Sequence, residues 1–389
     1  MDDFEEKVCS CALNRIFGFT PSVGTAMISH LGSASEVFRL STKELEDILG
    51  RKSGQIGMIG AEAVRAARNE LKDIERLGIK FTEWGSDSYP PLLRECPDAP
   101  IGLYIRSTTP TEELWQPRKS LAVVGTRDIS PYGREWCEKA VLAIARSNEK
   151  PLVISGLALG TDICAHRAAI DSGLPTIGVM ATGPETVYPH RHREFAQRLW
   201  QTPGCALVTD YPPGTSPLAI HFLRRNRIIA GLADATILIE SKNRGGGMTT
   251  SRLAFSYSRD VYALPGRADD VRSQGCNRLI REKVAEPLIS IEDLTVSLGL
   301  GRNRENGKTT MSEILKQHFG SDCPPEQIAG MEKILATIKQ ERGITLEEIA
   351  SKTRLEYMKI SQIAGILEME GLICIDLLQR CTLETKIFR

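Results

Sequence analysis

From Ser120 onward, short and uninterrupted apolar runs alternate with longer amphipathic stretches, and this alternation constrains the fold more than any other feature. LAVVG (121–125), LVISG (152–156), TIGVMA (176–181), CALVTD (205–210), ATILIES (235–241) and DVYALPG (260–266) read as strands. Helical patterns lie between them, around 133–146, 161–172, 190–200, 217–232 and 249–258. A strand that is apolar at successive positions must be covered on both faces, and strands joined through helices pair in parallel. The spacing therefore predicts an α/β domain with an extended Rossmann-like, doubly wound, mostly parallel sheet.

At 389 residues the chain is too long for one ordinary core. Residues 1–79 alternate apolar helical stretches with small-residue turns such as FGFTPSVGTAMISHLGS, which predicts a small helical domain of the helix-hairpin-helix kind. The following FTEWGSDSYPPLLRECPDAPIGLYIRS holds four prolines and ends in a strand-like LYIRS, an extended lead-in to the sheet. The α/β domain is placed at 80–290, and residues 291–329 are read as a linker because GLGRNRENGKTT (299–310) is charged and aperiodic. Residues 330–389 regain order as three helices. There Thr345 with Glu348 forms a capping-box pattern, and GLICID with QRCTLE suggests a β-wing, which together predict a C-terminal winged helix.

Forty-nine basic residues balance forty-nine acidic ones, so a polyanionic partner must be met by a local patch. The ten cysteines include no CxxC pair, the distribution expected of reduced thiols in a cytoplasmic protein. His166, His190, His192 and His221 fall on different elements without HxxxH or HExxH spacing, so no metal site is expected. Neither GxGxxG nor the P-loop pattern occurs, which argues against a dinucleotide or P-loop nucleotide cofactor. The acidic N-terminus, and the lack of any apolar run near the roughly 18 residues that span a bilayer, predict no signal peptide, no membrane helix and a cytoplasmic location.

Ligands of open α/β sheets gather at the carboxyl ends of the strands. There the chain carries GTRDIS (125–130), SGLALGTD (155–162), ATGPETVYPHRH (181–192) and SKNRGGGMTTS (241–251). Ser155, Gly156, Ala158 and Gly160 are small enough for backbone amides to approach an anion at a helix N-terminus, although tight strand-to-helix packing would leave the same signature. In the GGGMTTS turn, Thr249 and Thr250 are candidate helix caps or hydroxyl donors to phosphate, with Lys242 just upstream. Arg127 is expected to reach over the sheet edge toward both turns, while Tyr188 and Pro189 read as a rigid turn. The stretch HFLRRNRIIAGLADATILIES (221–241) sets three arginines within four positions against an apolar run. On a helix, Phe222, Arg225, Asn226 and Ile229 share one stripe, and Arg224, Arg227 and Ile228 the adjoining one. An aromatic ring beside guanidinium groups suits a single nucleic-acid strand, whose bases stack while arginine meets its phosphates. The competing explanation pairs these arginines with carboxylates such as Asp234 or Glu240.

GTRDISPYG, SGLALGTDICAHRAAI, GPETVYPHRHREF, HFLRRNRIIAGLADATILIES, GMTTSRLAFSYSRDVYALPG and QGCNRLIRE follow one another in the order and spacing of the DNA-processing protein A family, DprA or Smf, which the chain resembles over most of its length. The resemblance implies a bacterial protein that binds single-stranded DNA without strong sequence preference, protects incoming strands in natural transformation and helps load the recombinase RecA. It also implies a homodimer formed through the Rossmann domain. Carried over by motif, Arg127, the SGLALG loop, Phe222, Arg225, Asn226 and Arg227 form the strand-binding pocket, with Arg224, Lys242, Thr249 and Thr250 beside them. The chain departs from the family pattern with Thr161 in place of isoleucine, His192 in place of asparagine and Gly247 in place of serine.

No nucleophile, base and orienting group can be assembled from neighbouring motifs, so a binding protein rather than an enzyme is expected. The alternative is a nucleotide phosphoribohydrolase of the Lonely Guy type, with a PGGxGTxxE loop. Laid on this chain from Arg244, that motif keeps Thr249 in register but puts Arg252 where the catalytic glutamate belongs. A guanidinium cannot exchange a proton near neutral pH.

Overall fold

A computed structural model of the chain describes residues 3–300, apart from 117 and 148, and residues 315–383, apart from 317, 321, 322, 342, 377 and 378. Each of the six apolar runs forms a strand: β3 Ser120–Val124, β4 Leu152–Ser155, β5 Thr176–Val179, β6 Ala206–Thr209, β7 Ala235–Leu238 and β8 Asp260–Ala263. The last residues of each run leave the sheet and become the loops. Three further strands complete it: β1 Ile79–Glu83, β2 Gly102–Arg106 and β9 Glu286–Pro287. The order is β1-β2-β6-β5-β4-β3-β7-β8-β9. Neighbours from β6 to β9 are parallel, whereas β1 with β2 and β2 with β6 are antiparallel. The LYIRS run became β2 as expected; β1 was hidden because IKFTE begins where a helical pattern ends.

Helices α1 Asp3–Phe17, α2 Pro21–Leu31 and α3 Ala61–Arg76 precede the sheet, and α4 Pro131–Ala145, α5 Thr161–Asp171, α6 Arg193–Gln201, α7 Ala219–Gly231, α8 Gly246–Ser256, α9 Gln274–Arg281 and α10 Ile291–Ser297 follow the strands. Successive residues of β3 divide between two cores, as the two-residue period of a strand requires. Ala122 and Val124 pack with Ile228 and Ile229 of α7, Met248 of α8 and Leu279 of α9. Leu121 and Val123 pack with Val141 and Ile144 of α4, Ala165 of α5 and Leu294 of α10. This two-sided burial is why these strands carry no alternating polar residues. The helical N-terminal region covers the antiparallel edge: Cys11 of α1 and Leu71 of α3 pack against Phe81 and Tyr104. Buried Asn14 ties α1 to the sheet by donating to the Asp210 carbonyl at 2.9 Å and accepting from the Gly102 amide at 3.3 Å.

Residues 291–300, expected to open the linker, instead pack on the sheet, because Leu294, Leu298 and Leu300 supply an apolar face to the α4 side. The central part of that linker, 301–310, lies outside the described residues. The chain divides into two compact units, 1–303 and 304–389. The second contains α11 Pro325–Gln340, β10 Ile344–Thr345, α12 Leu346–Thr353, α13 Tyr357–Met369, β11 Ile373–Ile375 and β12 Arg380–Leu383, with the strands ordered β10-β12-β11. Thr345 and Glu348 make both halves of a capping box at the start of α12, and Met331, Ile334, Ile349, Ile363 and Leu367 fill the core.

One ion pair locks α7 into the first unit. Arg227 donates to the Asp210 carboxylate and to the Asp98 carbonyl, with both charged side chains buried. Arg227→Ala would strand a buried carboxylate, so it is expected to lower unfolding stability by about 3–5 kcal/mol. Chemical denaturation of the variant measures this, and a change below about 1 kcal/mol would contradict it.

Candidate functional site

Between β3 and β7 the winding of the sheet reverses: β3 is followed by β4 on one side, while β7 continues the sheet on the other. Loops leaving the carboxyl ends of two such strands diverge and open a crevice. Here the loops after β3 and β7 flank a cleft of about 580 Å³ that also receives one face of α7. Phe222, Arg225, Asn226 and Ile229, the stripe expected from helical spacing, all line it. Arg127, Arg225, Lys242 and Arg244 contribute four cations, against the single carboxylate of Asp162. A chain of zero formal net charge thus concentrates positive charge at one place.

Arg225 forms the floor. It is 4% exposed, and its Nε has no hydrogen-bond partner among the described residues. Burial pushes its guanidinium down to about 10, with the Asp162 charge acting in the opposite direction, so it remains cationic at neutral pH. Room for it comes from Gly156, where a Cβ would lie 1.5 Å from Arg225 Nη1. Burial raises the Asp162 carboxyl above its ordinary value, while Arg225 and the amides of Ala158 and Gly156 pull it back. The Ala158 amide lies 3.3 Å from Asp162 Oδ2.

Above Arg225 stands an aromatic and cationic wall. The half-buried Phe222 ring lies 5.4 Å from the exposed ring of Tyr188, and the Arg127 guanidinium sits 5.4 Å from the Phe222 centroid. Opposite, α8 begins at Gly246 with Gly245 at its N-cap, no capping side chain and no acidic residue in its first turn. Gly245, Gly246 and Gly247 line the cleft, so unpaired amides of a helix N-terminus adjoin the four cations.

Several expected site residues do other work. The Ser155 hydroxyl donates to the Val123 carbonyl at 2.6 Å and is fully buried. Gly156 accommodates Arg225 rather than an anion. Gly160, with φ +73°, packs on the 126–127 backbone, where a Cβ would meet the Thr126 carbonyl oxygen at 2.3 Å. The SGLALG turn therefore shapes the cleft from below, and of its four small residues only Ala158 lines it. Thr249 and Thr250 do not cap α8, which starts upstream of them. Thr249 is outside the lining, and the Thr250 hydroxyl donates back to the Gly246 carbonyl at 3.1 Å although its side chain borders the cleft. Asn226 borders the cleft and reaches the Gly246 carbonyl at 3.4 Å, joining α7 to α8.

The three arginines of the 224–227 stretch separate. Arg225 enters the cleft, and Arg227 is spent on Asp210. Arg224 turns to the N-terminal helices, donating to the Phe19 carbonyl at 2.9 Å and to that of Gly18, with its guanidinium 4.3 Å from the Phe19 ring centroid. The proposed partners Asp234 and Glu240 are occupied elsewhere: Asp234 accepts from the amide and hydroxyl of Ser120, and Glu240 from those of Ser130.

Sequence reasoning missed Asp162, Tyr188 and Arg244. Asp162 closes the SGLALGTD motif and Arg244 adjoins the triple glycine, so both were within sight; Tyr188 was read as a turn residue. The three departures from the family pattern have structural roles. The Thr161 hydroxyl bonds the Thr126 carbonyl at 3.2 Å. His192 Nδ1 lies 2.9 Å from the Leu157 carbonyl oxygen, and burial lowers its pKa. A Cβ on Gly247 would press to 2.6 Å from Leu238 Cδ1. Among the described residues, no group of three or more His, Cys, Asp or Glu gathers as a metal site, and no helix is long and apolar enough to cross a membrane.

Sheet order and crevice define a Rossmann-like α/β protein with an electropositive cleft at its switch point. More specifically, the chain belongs to the family described as DNA recombination-mediator protein A, which matches residues 80–299. It is 29% identical to protein Smf of Synechocystis over 374 residues, 90% of this chain and 92% of that protein. It is 38% identical to the DNA processing protein DprA of Streptococcus pneumoniae over 196 residues, 50% of this chain and 66% of that protein. The X-ray structure of the pneumococcal DprA superposes with a TM-score of 0.53 at 30% identity, covering 67% of this chain and 92% of that one. A Helicobacter pylori structure, described as giving insight into the single-stranded DNA binding mode of DNA processing protein A, superposes at 0.50 with 26% identity, over 57% of this chain and 95% of that one.

Gly156→Ala tests the floor of the cleft. The added Cβ is expected to expel the Arg225 guanidinium and to cost about 1–3 kcal/mol of stability through overpacking. A crystal structure of the variant with Arg225 in place would refute this packing.

Proposed function

We propose that the cleft binds single-stranded DNA, with little sequence preference, and that the protein acts as a recombination mediator by doing so. The observation that carries this reading is the convergence of Arg127, Arg225, Lys242 and Arg244 with the uncapped N-terminus of α8, beside the Tyr188 and Phe222 rings. Phosphates of one strand meet the cations and amides, and an unpaired base stacks on an aromatic face that is indifferent to base identity. Asn226 is a further polar side chain that lines the cleft. The single-stranded DNA binding described for the Helicobacter pylori relative supports the same ligand here.

On this reading the protein covers incoming strands in natural transformation or recombination, presents them to RecA in the cytoplasm and works as a dimer through its Rossmann domain. Residues 1–79 act as a helical accessory domain and 80–290 as the DNA-binding domain. The unit from α11 to β12 is read as a winged helix. Its third helix, α13, carries Lys359 as its one cation and also Glu368, a composition better suited to a protein surface than to a DNA groove. The phosphoribohydrolase alternative is disfavoured by Arg252, which stands where a proton-transferring carboxylate is needed and pairs with Glu282 at 2.6 Å.

Arg127→Ala and Arg225→Ala are each expected to weaken oligo(dT) binding at low salt by about tenfold or more. Each should also reduce the slope of log affinity against log salt by about 0.7, one phosphate contact on a single strand. Unchanged affinity for both variants in a gel-shift series would sink the reading. Ending the chain after residue 300, at the boundary between the two compact units, is expected to leave oligo(dT) binding within about threefold of the full chain. Loss of binding with a normal circular dichroism spectrum would place the main site in the C-terminal unit instead.

A further inference from the structure

The start of α7 is unusual for a solvated helix end. Leu218, Ile220 and Leu223 are each at least half exposed, and Leu223 also borders the cleft. Arg224 of the same helix lies against Phe19, which is 61% exposed in the turn between α1 and α2. Four large apolar side chains displayed together beside a charged cleft are more than scattered surface residues.

We infer that this face is an outer subsite for the same single-stranded DNA, in which a base leaving the cleft stacks on Phe19. The inference rests on the cleft reading above and extends the interface into the N-terminal helical region. Two observations favour a nucleic-acid strand over a protein partner. Leu223 lines the cleft and the next residue, Arg224, lies against Phe19, so a single turn of α7 links the cleft to that ring. Among the described residues no carboxylate pairs with Arg224: it meets the neutral carbonyls of Gly18 and Phe19, and its guanidinium lies 4.3 Å from the Phe19 ring centroid while the ring stays largely open. A flat cation–aromatic stack with an accessible ring matches a base and its phosphate.

The two carbonyl bonds hold Arg224 on the ring, so this stack is built before any ligand arrives. It also gives the N-terminal helices a reason to be anchored on the sheet edge next to the cleft mouth rather than at its far side.

The test uses the full chain with oligo(dT) of two lengths, about 6 and about 20 nucleotides, which fall below and above the span of one such platform. Phe19→Ala is expected to leave affinity for the short oligonucleotide within about twofold and to reduce affinity for the long one by about 5- to 30-fold. Phe19→Trp, which keeps a stacking face, should retain full affinity for the long oligonucleotide. Equal affinity of Phe19→Ala and the unsubstituted protein for the long oligonucleotide overturns the outer subsite, whatever protein the patch then binds. So does a loss that Phe19→Trp fails to restore. If Arg225→Ala also binds both lengths normally, the cleft reading fails as well, which separates the two failures. Melting temperatures within about 2 °C of the unsubstituted protein exclude unfolding as the cause of any loss.

Discussion

The cleft depends on one buried charge. Arg225 sits beneath the switch point with less surface exposed than most core residues tolerate for a cation. Three features make this possible: the missing side chain at Gly156, the nearby Asp162 carboxylate and the access of the guanidinium to the cleft itself. A desolvated cation with incomplete hydrogen bonding is costly in the empty protein and is relieved when an anion arrives. Within the SGLALG turn, the Ala158 and Gly156 amides face Asp162.

The architecture was legible from periodicity alone. Leu121 and Val123 face one helical layer, while Ala122 and Val124 face the other, so all four of these positions had to be apolar. Such a pattern admits little except a covered parallel sheet. The edge strands were harder to see. β1 is five residues long and follows directly on a helical stretch, and β9 spans two residues. β9 is too short to show a period, and β1 is masked by the helical stretch it follows.

The site was only half readable, and the 224–227 stretch shows why. Helical spacing correctly grouped Phe222, Arg225, Asn226 and Ile229 on one face, since that depends on α7 alone. It could not tell what the adjoining face would meet. Arg227 finds Asp210 at the end of β6, and Arg224 finds the turn after α1, more than 200 positions away. A local window cannot show partners at that separation. The capping role expected of the GGGMTTS threonines failed for a different reason: α8 starts earlier than its polar residues suggest, with glycine at the cap.

The mounting of Arg127 carries its own consequence. Its turn is gripped from below, by the Thr161 amide and hydroxyl on the Thr126 carbonyl and by the close approach of Gly160 to the same backbone. A side chain rooted in so stiff a turn has little backbone freedom to surrender at encounter, which lowers the entropic cost of association. On the proposed reading, a strand meets Arg127 by side-chain adjustment on a backbone that is already fixed.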